Sequence, residues 1–498
     1  MMPTRLPGGL AIGLAAALLA ACVAAPTAPP PASATPPAPT LTPTMAAPTP
    51  AGPVPTPLPT RTLFGPGERL PYVVQTGDYV AALAAHFNTT AAEILAANPG
   101  LPPTSTLPVG MTLAIPSYYF PLGGSPFQII PDSEFVYGPA QQAFDLRAYL
   151  AQQPGFLRGL SAFVNQKQRD AAGTIDYVAR QYSLNPKLLI ALMEWRSGAL
   201  TDPAASAAAR AAPFGPLPDR AAKDWYLQML WVAEQLSEGY YGWRTGALTT
   251  IHLPGDYRVR VDAYQNAGTV ALQSLFAQLV AREAFEAVSG PDGFAATYRA
   301  LWGDPWADPG EVLTGGLVQP PLALPFEPQR VWTYTGGPHP AWGRKVPWAA
   351  VDFAPAGVSG CQSSAEFVRA SAAGVVARSG DSTVVLDLDG DGYEGTGWVL
   401  FYFHMAERDL IPAGTTVAVG DPLGHPSCEG GTATGTHVHL ARRYNGEWLL
   451  ADGVLPFDLG GWQAQSGGQP YVGRLIRLGA WVEASTASTA QNRIYWVP

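Results

Sequence analysis

Apolar and polar positions along this chain change their period three times. Tyr72-Val73-Val74 alternates as a short strand and Gly77-Asp78 turns the chain, after which Val80, Leu83, Ala84 and Phe87 recur on one helical face. A second helix is expected from Thr90, because Thr90 and Glu93 stand at capping-box spacing, Ile94 and Leu95 supply a buried face and Asn98-Pro99-Gly100 stops it. Leu107 to Pro116 then returns as a strand. From about Asp145 to Trp302 the spacing is mainly helical, in Ala171 to Tyr182, Pro186 to Trp195, Ala222 to Glu238 and Val270 to Val288, and predicts an all-α domain. Beyond residue 330 the period falls to two. Gly374 to Ala377, Thr383 to Leu388, Trp398 to His404 and His437 to Arg443 are short runs between Gly and Asp turns, which predicts an antiparallel sandwich or barrel. The fold class is multidomain α+β.

Length and composition fit this division. A chain of 498 residues holds two to four domains. A net charge of -9 leaves no basic stripe for phosphates, which argues against nucleic acid, and three cysteines exclude a disulfide-dense scaffold. Arg5 precedes an apolar run from Leu10 to Ala21, too short to span a bilayer and of the kind that directs export. It ends in Leu19-Ala20-Ala21-Cys22, which resembles the bacterial lipobox and implies lipidation of Cys22 and a membrane anchor. Residues 23 to about 60 carry no charge and about fourteen prolines, the composition of an extended stalk reaching into the wall or periplasm. The expected boundaries are 1–22 for the signal peptide, 23–65 for the stalk, 70–117 for the small module, 135–310 for the helical domain and 325–498 for the β domain with a C-terminal extension.

The small module resembles the LysM domain in Tyr72-Val73-Val74-Gln75-Thr76-Gly77-Asp78, Ala97-Asn98-Pro99 and Gly110-Met111-Thr112-Leu113-Ala114-Ile115-Pro116. The resemblance implies a βααβ fold that binds N-acetylglucosamine glycans, peptidoglycan above all, in a shallow groove beside the turns. Tyr79-Val80 departs from the usual Thr-Leu. In the helical domain, Leu184 to Gly198 and Ala263-Tyr264-Gln265-Asn266-Ala267-Gly268 resemble the lysozyme-like lytic transglycosylases. The catalytic glutamate of that family is replaced here by Arg196, which cannot act as a general acid, and Glu194 points about 200° away around a helix. The domain is therefore expected to be non-catalytic. Glu234 and Glu238 are the remaining carboxylates weighed for glycan cleavage, with nothing to locate them in a cleft.

Five of seven histidines lie beyond residue 330: His339, His404, His425, His437 and His439. On a strand, His437-Val438-His439 sets both imidazoles on one face. Asp352-Phe353-Ala354-Pro355, Gly374-Val375-Val376, Tyr402-Phe403-His404-Met405, Val417-Ala418-Val419-Gly420-Asp421 and Gly435-Thr436-His437-Val438-His439 resemble the lysostaphin-type zinc metalloendopeptidases, which cleave peptidoglycan peptides. The resemblance implies Asp352 and His439 as zinc ligands and His437 and His404 as catalytic residues. The family's first ligand His, four residues before the Asp, is Trp348 here, and indole has no lone pair for a metal. His339, thirteen residues before Asp352, supplies a third ligand if the Gly336 to Trp342 loop folds over the site. His425 is expected to be structural. Cys361 and Cys428 are expected to form a disulfide in an exported protein. Asp387-Leu388-Asp389-Gly390-Asp391-Gly392 matches half of a calcium loop but has Trp398 at position twelve, so a tight hairpin is the better reading. Two functions stay open: an anchored zinc metalloendopeptidase acting on peptidoglycan cross-links, or a catalytically degenerate wall-binding protein built from the same domains.

Overall fold

The computed structural model describes residues 65–101, 106–118, 124–218, 221 and 223–495. The expected signal peptide, Cys22 and nearly all of the stalk lie outside them. The chain opens with β1 (Glu68–Val73), α1 (Val80–His86), α2 (Ala91–Ala97) and β2 (Thr112–Ser117), with β1 antiparallel to β2 from Glu68 opposite Ser117 to Val73 opposite Thr112. The capping box forms: Thr90 Oγ1 accepts from the Glu93 amide and Glu93 Oε2 accepts from the Thr90 amide, both at 3.2 Å. Asn98 joins helix to strand, its Nδ2 donating to the carbonyls of Ile94 and Ala114 while its Oδ1 accepts from the Ala114 amide. That three-way bond is the reason an Asn, and not another helix stop, suits this position.

Next come α3 (Leu146–Ala151), β3 (Ser161–Val164), β4 (Lys167–Asp170), α4 (Ala171–Tyr182), α5 (Pro186–Ser197), α6 (Ala207–Ala211), α7 (Trp225–Arg244), β5 (Thr250–Leu253), β6 (Tyr257–Arg260), α8 (Ala267–Leu279), α9 (Phe285–Val288) and α10 (Phe294–Trp302). The region is helical, but β3–β4 and β5–β6 are hairpins, so the all-α expectation needs correction. Asn165 and Gln166 both take positive φ and turn the first hairpin tightly. The helix expected from Val270 to Val288 is two, because Val280 is extended at φ -127° and ψ 159°. Phe285 and Val288 still reach the same core, which is why the pattern ran on. Asn185 caps α5 by accepting from the Lys187 amide, with Pro186 at the first helical position.

The third part contains β7 (Val331–Pro340), β8 (Trp348–Pro355), β9 (Val368–Arg369), β10 (Gly374–Gly380), β11 (Thr383–Asp387), β12 (Trp398–Phe403), β13 (Thr416–Val417), β14 (Pro422–Gly424), β15 (Val438–Tyr444), β16 (Glu447–Trp448), β17 (Asp458–Leu459), β18 (Trp462–Ser466), β19 (Gly473–Arg477), β20 (Ala480–Glu483) and β21 (Arg493–Tyr495). The main sheet runs β13-β10-β11-β12-β15-β8-β7-β21, with β16 beside β15, and every pairing is antiparallel. Strands β17 to β20 form a separate four-stranded sheet, and β9 pairs with β14.

Side-chain alternation gives the main sheet two apolar faces. Val351, Phe353, Leu400, Tyr402, Val438 and Leu440 pack with Leu459, Ala464, Leu475 and Val482 of the smaller sheet. The opposite face presents Ala350, Phe401, Phe403 and Ala441, and these join the core of the helical domain itself. Charges buried at this junction are paired. Glu394, 1% exposed, accepts from Arg180 of α4 at 2.6 Å, from Arg378 at 2.8 and 3.0 Å, and from Arg443 at 2.8 Å. Burial alone would raise this carboxyl, but Arg378, Arg443 and Arg180 overcome it and hold the group well below the usual range. The sulfurs of Cys361 and Cys428 are bonded, closing 67 residues.

Two outcomes follow from these contacts. Glu394→Gln leaves Arg378 and Arg443 without a counter-charge, while Arg180 keeps Asp176, and should cost about 3 to 5 kcal/mol, measured by urea unfolding at neutral pH. Because the folded value is depressed, the stability from Glu394 is complete above its unfolded pKa of about 4.3 and is lost as pH falls toward the folded value. The gap between wild type and variant should therefore narrow only at acid pH. Replacing both Cys361 and Cys428 with Ser should cost about 4 kcal/mol on the loop-entropy account, read from the same denaturation of the oxidised and variant chains.

Candidate functional site

The sheet register brings the expected residues together. His439 on β15 lies opposite Asp352 on β8, and Asp352 lies opposite Gly336 on β7. Directly opposed residues share a face, so His439, Asp352, Phe403 and Ala441 all point toward the helical domain. The pairing of β7 shifts register between Tyr334 and Gly336, between Gly336 and His339, and again before Pro340. These irregularities carry His339 back over Asp352. His339, Asp352 and His439 are all buried, and each offers one ligand atom within 4.8 Å of the others.

Backbone carbonyls fix the two imidazoles. His339 Nδ1 lies 2.8 Å from the Gly337 carbonyl and His439 Nε2 lies 3.0 Å from the Ala341 carbonyl. A carbonyl only accepts, so those nitrogens carry the hydrogens and the opposite nitrogens carry lone pairs. His339 Nε2 and His439 Nδ1 then face each other at 2.9 Å, with Asp352 Oδ1 at 3.2 and 3.4 Å from them. Three acceptors this close repel unless a proton or a cation sits between them. Donors around a tetrahedral ion bound at about 2.0 to 2.1 Å stand about 3.3 Å apart, close to this triangle. Burial pushes the His439 imidazole down, toward its neutral form.

His404 and His437 complete the group, their ring centres 4.5 Å apart. Each gives its Nδ1 hydrogen to a carbonyl, that of Glu429 at 2.8 Å and that of Gly435 at 2.7 Å, and so offers a bare Nε2. His437 Nε2 lies 3.9 Å from Asp352 Oδ2. Burial, then His437 and His439, push His404 down to about 3. His404 also sits at φ +59°, a left-handed conformation that costs a non-glycine residue about 1 to 3 kcal/mol and must be held by its surroundings. Ser427 holds it, donating from its amide and hydroxyl to the His404 carbonyl at 2.7 and 2.9 Å. The adjacent Cys428 is bonded to Cys361, whose neighbours Gly360 and Gln362 accept from the Thr436 amide and hydroxyl beside His437. One disulfide thus braces both histidines.

Other residues singled out in the sequence fall elsewhere. Trp348 stands outside the cluster, its indole N–H donating to the Lys345 carbonyl at 2.7 Å, and the third member of the group with Asp352 and His439 is His339. His425 Nδ1 lies 2.9 Å from the Glu366 carbonyl and its ring packs on Phe367. The Asp387 loop turns on itself: Asp387 accepts from the amides of Asp389 and Gly392, and Gly390 and Gly392 take positive φ. Glu194 accepts from the amides of Leu200 and Thr201, Arg196 donates to the Phe214 carbonyl, and Glu234 and Glu238 bind Arg344 and Lys345 of the β domain.

Three further residues shape the site, and none was assigned a role from the sequence. A Cβ at Gly336 would lie 2.4 Å from Asp352 Oδ2, so only glycine lets the carboxylate approach β7. Tyr471, from the loop between β18 and β19, stacks on His339 at 4.2 Å and bonds through its backbone to Gly337 and Pro338. Trp342 lies against Phe403 at 4.8 Å and meets Tyr177 of α4. The pair Gly336-Gly337 was the one available hint, since a glycine inside a strand marks a bulge or a close approach.

Two family models match the chain: the LysM domain over residues 72–116 and the LasA N-terminal domain over residues 128–315. Protease LasA of Pseudomonas aeruginosa, from strains UCBPP-PA14 and PAO1, is 27% identical over 371 residues, which covers 69% of this chain and 78% of the relative. Among solved structures, the deep-sea M23 metalloprotease pseudoalterin is 24% identical with a TM-score of 0.28, over 36% of this chain and 99% of that one. The catalytic domain of lysostaphin from Staphylococcus simulans is 19% identical with a TM-score of 0.18, over 25% of this chain and 89% of that one. The chain carries a LysM domain followed by a LasA N-terminal domain, and it is a homologue of Protease LasA.

Proposed function

We propose that the protein is an exported zinc metalloendopeptidase that acts on the peptide cross-links of peptidoglycan. The observation that carries this reading is the convergence of His339 Nε2, Asp352 Oδ1 and His439 Nδ1, three buried acceptors with their other ring nitrogens committed to carbonyls. Asp352 Oδ1 makes no hydrogen bond. A carboxylate oxygen that is buried and faces two lone pairs is stabilised by a cation. The donor set of two imidazoles and one carboxylate suits zinc, and an ion held there would polarise a peptide carbonyl and lower the pKa of a water to about 7.

The remaining chemistry belongs to His404 and His437. With hydrogen on Nδ1 and a lone pair on Nε2, either can take a proton from an attacking water, and the imidazolium so formed can donate to the developing oxyanion or to the departing amine. Their Nδ1 carbonyl partners keep the tautomer needed for that exchange. Export fits the disulfide and the apolar N-terminus. Lipid on Cys22 would anchor the chain to the membrane, and the LysM domain would hold it to N-acetylglucosamine glycan strands. Nucleic acid is not a partner in this reading.

Elemental analysis of the purified full chain should return about one zinc per molecule, lost in His339→Ala, Asp352→Ala and His439→Ala. Retention of zinc by His339→Ala would sink the three-ligand assignment, and absence of zinc from the wild type would leave the wall-binding alternative. Gly336→Ala tests the approach of β7 without removing a ligand. Its methyl group displaces the Asp352 carboxylate, so zinc affinity should fall by roughly 10 to 100-fold, the scale of an outer-shell disturbance, measured by competition with a chelating dye.

A further inference from the structure

The segment between α10 and β7 does more than connect two domains. Residues 303–311 are largely exposed, but Val312, Leu313 and Leu317 are buried. Thr76, in the turn after β1, donates its hydroxyl to the Leu313 carbonyl at 3.1 Å and accepts from the amides of Val312 at 3.0 Å and Leu313 at 2.9 Å. That is one donor and two acceptor sites, the full capacity of a hydroxyl. Thr106, in the turn before β2, repeats the pattern. Its hydroxyl donates to the Thr314 carbonyl at 2.5 Å and accepts from the Leu317 amide at 3.1 Å, while its carbonyl accepts from the Gly316 amide at 2.9 Å. Six hydrogen bonds thus join residues 312–317 to the two turns. Gly315 lies so close to Pro108 that a Cβ there would come within 2.4 Å of the Pro108 Cα. On the far side, Asn445 Nδ2 donates to the Val312 carbonyl at 3.1 Å, tying the same segment to the β domain.

We infer that residues 312–317 form a latch that occupies the glycan-binding surface of the LysM domain, so that an N-acetylglucosamine chain and the latch exclude each other. The inference rests on the glycan-binding reading of this domain given above. Sugar hydroxyls and acetamide groups need donors and acceptors of the kind that Thr76 and Thr106 have committed to the latch backbone, and a hydroxyl cannot satisfy both. A tethered competitor lowers the apparent affinity in proportion to the fraction of time it is bound. Binding of glycan would release Val312 from Asn445 as well, so occupancy of the small domain is transmitted to the β15–β16 turn.

The test uses the full chain, its Gly315→Ala variant and chitopentaose as probe, by isothermal titration calorimetry. The added methyl group pushes the latch off Pro108 and leaves every residue of the LysM domain unchanged. The variant should bind chitopentaose on the order of tenfold more tightly than the wild type. In the wild type, saturating chitopentaose should speed amide hydrogen exchange across residues 312–317 while β7 and β8 stay protected, a readout that stands even if the variant fails to fold. Equal affinities, or exchange across 312–317 unchanged by bound probe, would overturn the latch and leave glycan binding intact. No binding to either chain would overturn the glycan reading, and the latch with it.

Discussion

The arrangement of this protein depends on one buried guanidinium. Arg244, at the last turn of α7 and 7% exposed, gives two hydrogen bonds to Glu447 of β16, one to the Tyr240 hydroxyl and one to the Thr76 carbonyl, and pairs with Asp132 at 2.9 Å. It therefore touches all three domains with one planar fork, which a lysine could not do. Glu447 accepts from the Tyr240 hydroxyl as well, so the pair is satisfied on both sides. A buried ion pair of this kind adds less stability than its Coulomb energy suggests, because both charges were better solvated in water. Its value here is geometric. Gly77 records the constraint, since it sits at φ +75° and a Cβ there would lie 2.3 Å from the guanidinium carbon.

From that junction the rest of the site follows. The helical domain covers the sheet face that carries His439 and Asp352, and the apolar residues of that face merge with its core. Glu394 and its three arginines secure one side of the contact, while Asp381 pairs with Lys167 and Arg169 from the β3–β4 hairpin on another. Trp342 stands where the two domains meet, between Phe403 and Tyr177. The histidines are thus approached along a boundary of aromatic rings and paired charges, and the burial that shifts His404 and His439 downward is a property of the assembled chain.

Much of this was legible in the sequence where local chemistry decides the outcome. Thr90 and Glu93 declared a helix start, Asn98 a stop, and the His437-Val438-His439 run a strand, although β15 begins only at Val438 and His437 bridges Ser427 just before it. The four-residue histidine motif was a poor guide because β7 is irregular. Its register shifts around Gly336 bring His339 over Asp352 from thirteen residues away, and no periodicity reports such a bulge. Tyr471 was invisible for a similar reason, since its place on His339 is set by a loop of the smaller sheet. The break at Val280 was hidden because the helices on either side bury the same core. Pairing of Cys361 with Cys428 could be expected from compartment alone, while its role in bracing His404 and His437 required the fold.

Strand β21 has a bearing on the order in which the main sheet can close. Ile494 is buried and Arg493 pairs with Thr333 of β7, about 160 residues earlier, so the strand that carries His339 has an open edge until β21 arrives. Closing a loop of that length is slow compared with forming the βααβ module or the α7–α8 pair, whose partners are near in sequence. In a chain that folds after export, the LysM domain and the helices can settle first, and the helices present a finished apolar surface on which the sheet then assembles. The outer edge of β7 is in this sense the last part of the sheet to close.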